Sequence, residues 1–252
     1  MEKEICVIIL AAGEGKRLGG ETQKVVKKLL GKPMLLYLMD TVKKIPPEKI
    51  VVVVGHKKEE VFEQLKNEDV IYAEQKEPKG TGDAVLVTEP IFKNYSGNIL
   101  ILYGDMPFIT LETINALFNT QIKNDAVCTI LTGIVEDPTG YGRIIRDENG
   151  EVKAIVEELN ATEEEKKIKE INCGIYIFKS EFLFPALKKL KPDPIKGEYY
   201  LTDVIKILKD EGRKISTYTT KLIEETIGIN TPEDLKKAEK FLTKRRNKWT
   251  VV

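Results

Sequence analysis

The chain has 252 residues, enough for one sizeable α/β domain with a real core. Lys plus Arg and Asp plus Glu both number 40, so the balanced charge lacks the basic footprint of a general nucleic-acid binder. A single histidine, His56, all but excludes histidine triads and multi-histidine metal centres, which leaves hard cations held by oxygens as the metal chemistry open to the chain.

In chain order, "ICVIIL" (5–10), "IVVVV" (50–54), "VIYAE" (70–74) and "NILILY" (98–103) read as strands. Each is continuously apolar, as expected of parallel strands covered on both faces. Helical patterns lie between them at about 33–44, 58–67, 80–90 and 110–120, which gives the βαβα rhythm of a doubly wound sheet. After residue 125 the pattern loosens. "AVCTILTGIV" reads as a strand, and "GRIIRDENGEVKAIVEE" as a hairpin around Glu148-Asn149-Gly150. A charged helix at 162–169, a strand at 171–178 and helices at 180–190 and 199–211 follow. Thr231 is placed to cap a last helix that has Pro232 at its first position. With no repeat or linker, one domain is expected: a regular first half (1–125), a less regular second half (126–230) and a C-terminal helix (231–246).

Cys6, Cys128 and Cys173 sit in apolar runs and read as small buried hydrophobes in a reducing compartment. The opening apolar run is too short for a signal peptide, and no run reaches membrane-spanning length. A cytoplasmic protein with no membrane partner is expected.

The glycine-rich stretch "LAAGEGKRLGGETQK" follows the first strand directly. It lacks the third glycine of the dinucleotide fingerprint, and no acid ends the second strand. It has the spacing of a P-loop from Gly15 to Thr22, but Glu21 stands where the lysine must be. Two readings remain on the residues alone. Gly13 and Gly15 let the backbone approach a triphosphate, with Lys16, Arg17 and Lys24 adding charge; or the stretch is a solvated basic loop.

"LAAGEGKRL" with Lys24 resembles the signature of the sugar-1-phosphate nucleotidyltransferases. Seven further blocks extend the likeness in order: "AEQKEPKGTGDA", "LYGDMPFI", "DPTGYGRI", "IVEELNAT", "EINCGIYI", "GEYYLTD" and "GIN". More specifically, the chain resembles the uridyltransferase domain of the bifunctional bacterial enzymes that make UDP-N-acetylglucosamine. Nothing in it resembles their left-handed β-helix, so it reads either as a stand-alone transferase or as a piece of a longer one.

The resemblance implies a Rossmann-like doubly wound mixed α/β sheet of the nucleotide-diphospho-sugar transferase type. It implies that Arg17 and Lys24 are catalytic, on the pyrophosphate end and the α-phosphate respectively. Leu10, Ala11, Ala12, Gly13, Gly15, Gln75, Gly80 and Thr81 would bind the nucleotide, and Tyr103, Gly104, Gly140, Glu157 and Asn172 the sugar, with Tyr199 a further candidate and Glu157 preferred to Glu158. Asp105 and Asn230 would hold Mg²⁺. Implied partners are UTP and a sugar-1-phosphate, with no nucleic acid and a monomeric or weakly dimeric state. The implied reaction is UMP transfer to N-acetylglucosamine-1-phosphate. Alternatives are glucose-1-phosphate with UTP or dTTP, or an inactive nucleotide-sugar-sensing subunit. Three positions depart from the family pattern: Gln23 for the proline before the lysine, Lys16 for a small hydroxyl residue and Asp83 for a histidine. Gln23 is expected to loosen the approach to Lys24.

Overall fold

The computed structural model describes residues 4–249, with side chains through Lys244. Strand β1 (Ile5–Leu10) runs into the glycine-rich loop, where residues 16–18 and 24–26 form single 3-10 turns. A small hairpin, β2 (Lys28–Leu29) and β3 (Lys32–Pro33), leads into α1 (Met34–Val42). Then come β4 (Lys49–Val54), α2 (Lys58–Gln64), β5 (Ile71–Glu74), α3 (Thr81–Leu86) and β6 (Asn98–Tyr103). The second half begins with α4 (Leu111–Asn124), β7 (Cys128–Ile134) and the hairpin of β8 (Arg143–Arg146) and β9 (Val152–Val156). It continues through β10 (Glu170–Lys179), α5 (Ser180–Leu187), α6 (Asp203–Asp210), β11 (Ile215–Thr219) and α7 (Pro232–Trp249).

The main sheet has the order β11-β7-β10-β6-β1-β4-β5, with β8 and β9 attached through β10. β1 is parallel to β4 and β6, and β4 to β5. Because neighbouring side chains on a strand point to opposite faces, each apolar run feeds two cores. Ile8, Val51, Val53 and Ile101 pack on one face, and Val7, Ile9, Val52 and Leu100 on the other. β10 runs antiparallel between β6 and β7 and so joins the halves into one sheet. Its register slips between Asn172 and Tyr176, at Gly174 with φ +74°. The fold is the mixed doubly wound α/β sheet expected. No helix among the described residues is long and apolar enough to cross a membrane. All three cysteines are buried and free.

Several expected elements differ. The charged helix at 162–169 is a 3-10 turn at Glu165–Lys167, held by Thr162 and by exposed Glu163–Lys166 and Glu164–Lys167 pairs. The segment has only Ile168 to bury, too little to hold a longer helix. The helix expected at 80–90 ends at Leu86 and restarts as a 3-10 turn carrying Pro90. α6 begins at Asp203 rather than 199, because the Tyr199 N–H donates to Lys79 O (2.7 Å) and its carbonyl accepts from the Gly82 N–H (2.7 Å). β11, an edge strand parallel to β7, and the β2–β3 hairpin were not anticipated.

Candidate active site

β1, β4, β5 and β6 are parallel, so their carboxyl ends open on one edge of the sheet, where ligands gather in such folds. Three adjoining cavities lie there. A first, of about 230 Å³, is lined by Leu10, Ala11, Ala12, Gly13, Gln75, Pro78, Gly80, Thr81, Tyr103 and Asp105 among others. A second, of about 270 Å³, is formed by Gly13 to Arg17 with Lys24 and Asn230. A third, of about 340 Å³, includes Tyr103, Gly140, Glu157, Asn172, Thr202 and Tyr200. Lys24 borders all three. Gly104 borders none of them; a side chain there would strike Val25 and the Leu10 carbonyl, so it is a packing glycine under the site. Tyr199 is likewise absent from the linings, and its neighbour Tyr200 takes that place.

The loop after β1 is built to bring a backbone close to something. A Cβ on Gly13 would meet nothing within 4 Å, so the loop is open on the cavity side. Gly15 has φ +64°, and a Cβ there would lie 2.8 Å from the Lys24 Cβ, so only glycine lets Lys24 pass. Gln23 corrects the expected loosening. It is fully buried, and its Nε2 donates to the carbonyls of Ala11 (2.5 Å) and Gly13 (3.1 Å). Its Oε1 accepts from the Val25 N–H (2.6 Å), and its own N–H donates to Glu60 (2.6 Å). Its φ of −59° is one a proline would adopt. Hydrogen bonds thus hold what a ring would otherwise fix. Lys57 closes the far side of the loop, donating to the carbonyls of Gly20 (2.8 Å) and Glu21. Lys16 points outward and pairs with Glu14.

At the junction of the cavities the Lys24 ammonium donates to Asp105 Oδ2 and to Asn230 Oδ1 (2.7 Å), and Arg17 donates to the same Asn230 oxygen (3.0 Å). Asn230 Nδ2 donates to the Gly228 carbonyl (3.1 Å), which fixes the amide with its oxygen outward. The Ile229 N–H donates to the Asp105 carbonyl (3.0 Å) and ties this C-terminal segment to the end of β6. Two hard oxygens therefore converge on one cation. That donor set suits Mg²⁺, which takes one or two protein oxygens and completes its shell with water and phosphate.

At the first cavity's inner end, Gln75 Nε2 donates to the Gly80 carbonyl (3.0 Å) and to Asp83 Oδ2 (2.8 Å). Gly80 has φ +104°, and a Cβ there would lie 2.5 Å from the Tyr199 carbonyl oxygen. In the third cavity Glu157 Oε1 accepts from the Thr202 hydroxyl (2.9 Å), and burial raises its carboxyl above the usual range. Glu158 is engaged elsewhere. It pairs with the buried Arg143 (2.6 Å) and accepts the Gly140 N–H (3.2 Å). Asn172 lines the cavity with its side chain already bonded, Nδ2 donating to the Tyr176 hydroxyl (2.7 Å) and Oδ1 accepting the Gly174 N–H (3.0 Å). Burial pushes the Tyr103 hydroxyl well up, and that of Tyr200 to about 12. Tyr200, Thr202 and Pro78 were missed from the sequence, although "GEYYLTD" held the first two.

The chain matches the nucleotidyl transferase family over residues 6–248. It is 44% identical over 248 residues to the bifunctional protein GlmU of Bacillus licheniformis, covering 98% of this chain and 54% of that protein. It is 47% identical over 243 residues to the bifunctional protein GlmU of Thermoanaerobacter pseudethanolicus, covering 96% of this chain and 52% of that protein. The chain thus spans about half the length of the curated relatives it matches. A solved UDP-glucose pyrophosphorylase in complex with UDP-glucose shares the fold, with a TM-score of 0.76 at 20% identity over 96% of this chain and 99% of that one.

Proposed function

Because the chain belongs to the nucleotidyl transferase family, we propose that it transfers UMP from UTP to N-acetylglucosamine-1-phosphate, releasing pyrophosphate and supplying nucleotide-sugar and cell-wall synthesis. The carrying observation is the Lys24 ammonium at the meeting point of all three cavities, shared between Asp105 and Asn230. The base would enter the first cavity, the phosphates the second and the sugar phosphate the third. The names of the similar bifunctional proteins, and the seven blocks beyond the glycine-rich loop, support this acceptor.

A sugar-1-phosphate oxygen would form the new bond to the α-phosphorus while the bond to the β-phosphate oxygen breaks and pyrophosphate leaves with the electron pair. A phosphate monoester loses its second proton near pH ~6, so at neutral pH the nucleophile is already charged and needs no general base. A site without histidine suits that chemistry. Lys24 would hold the α-phosphate, and Arg17 the departing end, by charge placed where it develops. Asp105 and Asn230 would hold Mg²⁺, which supplies charge neutralisation on the triphosphate when bound. Glu157 and the groups around it would take sugar hydroxyls.

Pyrophosphate release, with UTP, dTTP and CTP crossed against N-acetylglucosamine-1-phosphate and glucose-1-phosphate, tests the reading. Preference for UTP with the N-acetylated sugar is expected, with Lys24→Ala lowering kcat roughly 10²- to 10³-fold. Preference for glucose-1-phosphate would replace the acceptor. No turnover of any pair by folded protein that binds UDP-sugar would leave a sensor.

A further inference from the structure

Within that proposed site, Gln75 is held in a way that decides what its amide can say to a base. An amide offers two N–H donors on one end and an acceptor oxygen on the other. The atom between the Gly80 carbonyl and Asp83 Oδ2 lies 3.0 Å and 2.8 Å from them. Both neighbours only accept, so that atom must be nitrogen, and both its protons are used. A flipped amide would set an oxygen against a carbonyl and a carboxylate. What remains for the cavity is Oε1, an acceptor, on a residue that is buried and lines the pocket. Gly80 cannot relax away, since its backbone is packed against Tyr199. Asp83 sits in the first turn of α3 and reaches across to the end of β5.

We propose that Asp83 is a specificity-positioning residue: it locks the Gln75 amide so that a lone acceptor faces the base, admitting bases with a ring N–H and rejecting cytosine. Uracil and thymine carry a hydrogen on N3, which Oε1 accepts. The N3 of cytosine is itself an acceptor and would face Oε1 lone pair to lone pair. A site built to bond one group discriminates steeply against an analogue that cannot make the bond. The inference rests on the reading of the first cavity as the base pocket, and it concerns binding, so turnover is not its readout.

The test is calorimetric titration of UDP and CDP into the folded protein, with the ratio of their dissociation constants as the quantity read. Wild-type protein is expected to favour UDP by about 100-fold, the scale of one denied buried hydrogen bond. Asp83→Ala and Asp83→Leu remove one of the two acceptors that hold the amide and leave the Gly80 carbonyl alone to oppose its turning, so the ratio is expected to fall about tenfold in each. Asp83→Asn can still accept through its Oδ1 and is expected to restore the ratio. A purely structural role would instead lower Tm and weaken both nucleotides together. A ratio unchanged in folded Asp83→Ala and Asp83→Leu, or no preference in the wild type, overturns the inference while leaving the nucleotide site standing. Failure of the wild type to bind either nucleotide overturns the proposed function, and this inference with it.

Discussion

At the scale of single residues, neighbours of similar type have opposite duties. Glu157 is half-buried in the third cavity with Asp203 and Asp193 adding negative charge and Lys196 partly offsetting it. Its folded pKa is raised, chiefly by desolvation. Stability is therefore lost as pH rises from the unfolded value of about 4.3 through the raised folded value, and the full penalty is present above it. Glu157→Gln keeps an oxygen for Thr202 and sheds the charge. It is expected to raise Tm at pH 7, to flatten Tm against pH above 4, and to weaken the sugar-phosphate substrate. A lower Tm at pH 7 would contradict this. For Glu158, burial pushes the carboxyl up, but Arg143 and the Gly140 N–H outweigh it and the net shift is down. Its contribution is present above the unfolded value and lost as pH falls through the folded one. Glu158→Ala leaves the buried Arg143 guanidinium with the Tyr141 and Lys166 carbonyls but without its carboxylate, and is expected to cost roughly 3 kcal/mol by urea unfolding. Gln23→Ala would strip three loop groups of their partners, at about 2 kcal/mol, with a higher KM for the nucleotide. Gln23→Pro, which keeps the φ angle and loses the bond to Glu60, tests whether angle or clasp matters more; the KM of the alanine variant is expected to rise further.

At the scale of elements, α7 shows how a helix start can serve a site. The Thr231 hydroxyl accepts the Asp234 N–H (3.2 Å), and Asp234 Oδ2 accepts from Thr231 N (2.9 Å) and Asn230 N (3.1 Å). The cap that begins the helix also fixes the backbone of Asn230. The sequence placed Thr231 as the cap because a hydroxyl residue before proline and acids is a local signal. It could not show that the cap would lie against Asp105, whose carbonyl accepts the Ile229 N–H from 124 residues further along. Thr231→Ala is expected to cost about 1 kcal/mol, read by urea unfolding, and to raise the Mg²⁺ concentration needed for activity. Where the structure departs from the expected elements, the local pattern lacks a reason to stop or to pair. "TEEEKKIK" has helix-forming residues but no apolar stripe to dock. "ISTYT" alternates weakly, and becomes β11 only because β7 offers it an edge.

At the scale of the whole molecule, the two halves divided by the change of pattern near residue 125 are not separate bodies. β10 comes from the second half and pairs with β6 of the first along Tyr176 to Lys179. Its other edge pairs with β7. Unfolding one half would expose the strand edges and core of the other, so a single cooperative transition is expected. Far-UV circular dichroism and tyrosine fluorescence, followed through urea, should give coincident midpoints. Two separated transitions would mean that the sheet does not couple the halves.

The sequence by itself determined the strands of the first half and the glycine-rich loop, because continuous apolar runs and glycine spacing are local signals, while the site residues came from the resemblance of its motifs to a family. Sixteen of the eighteen site residues expected from it line the three cavities, Gly104 lies beneath them and Tyr199 is outside their linings. Only the tertiary structure decided how those residues are held. Gln23 became a clasp rather than a loose hinge, Gln75 was turned to present its oxygen, and Glu158 was withdrawn to Arg143 while Glu157 stayed in the cleft. The physical reason is that a hydrogen bond's direction depends on what stands opposite, and in this fold the opposing groups come from distant parts of the chain or from turns whose course is set by packing.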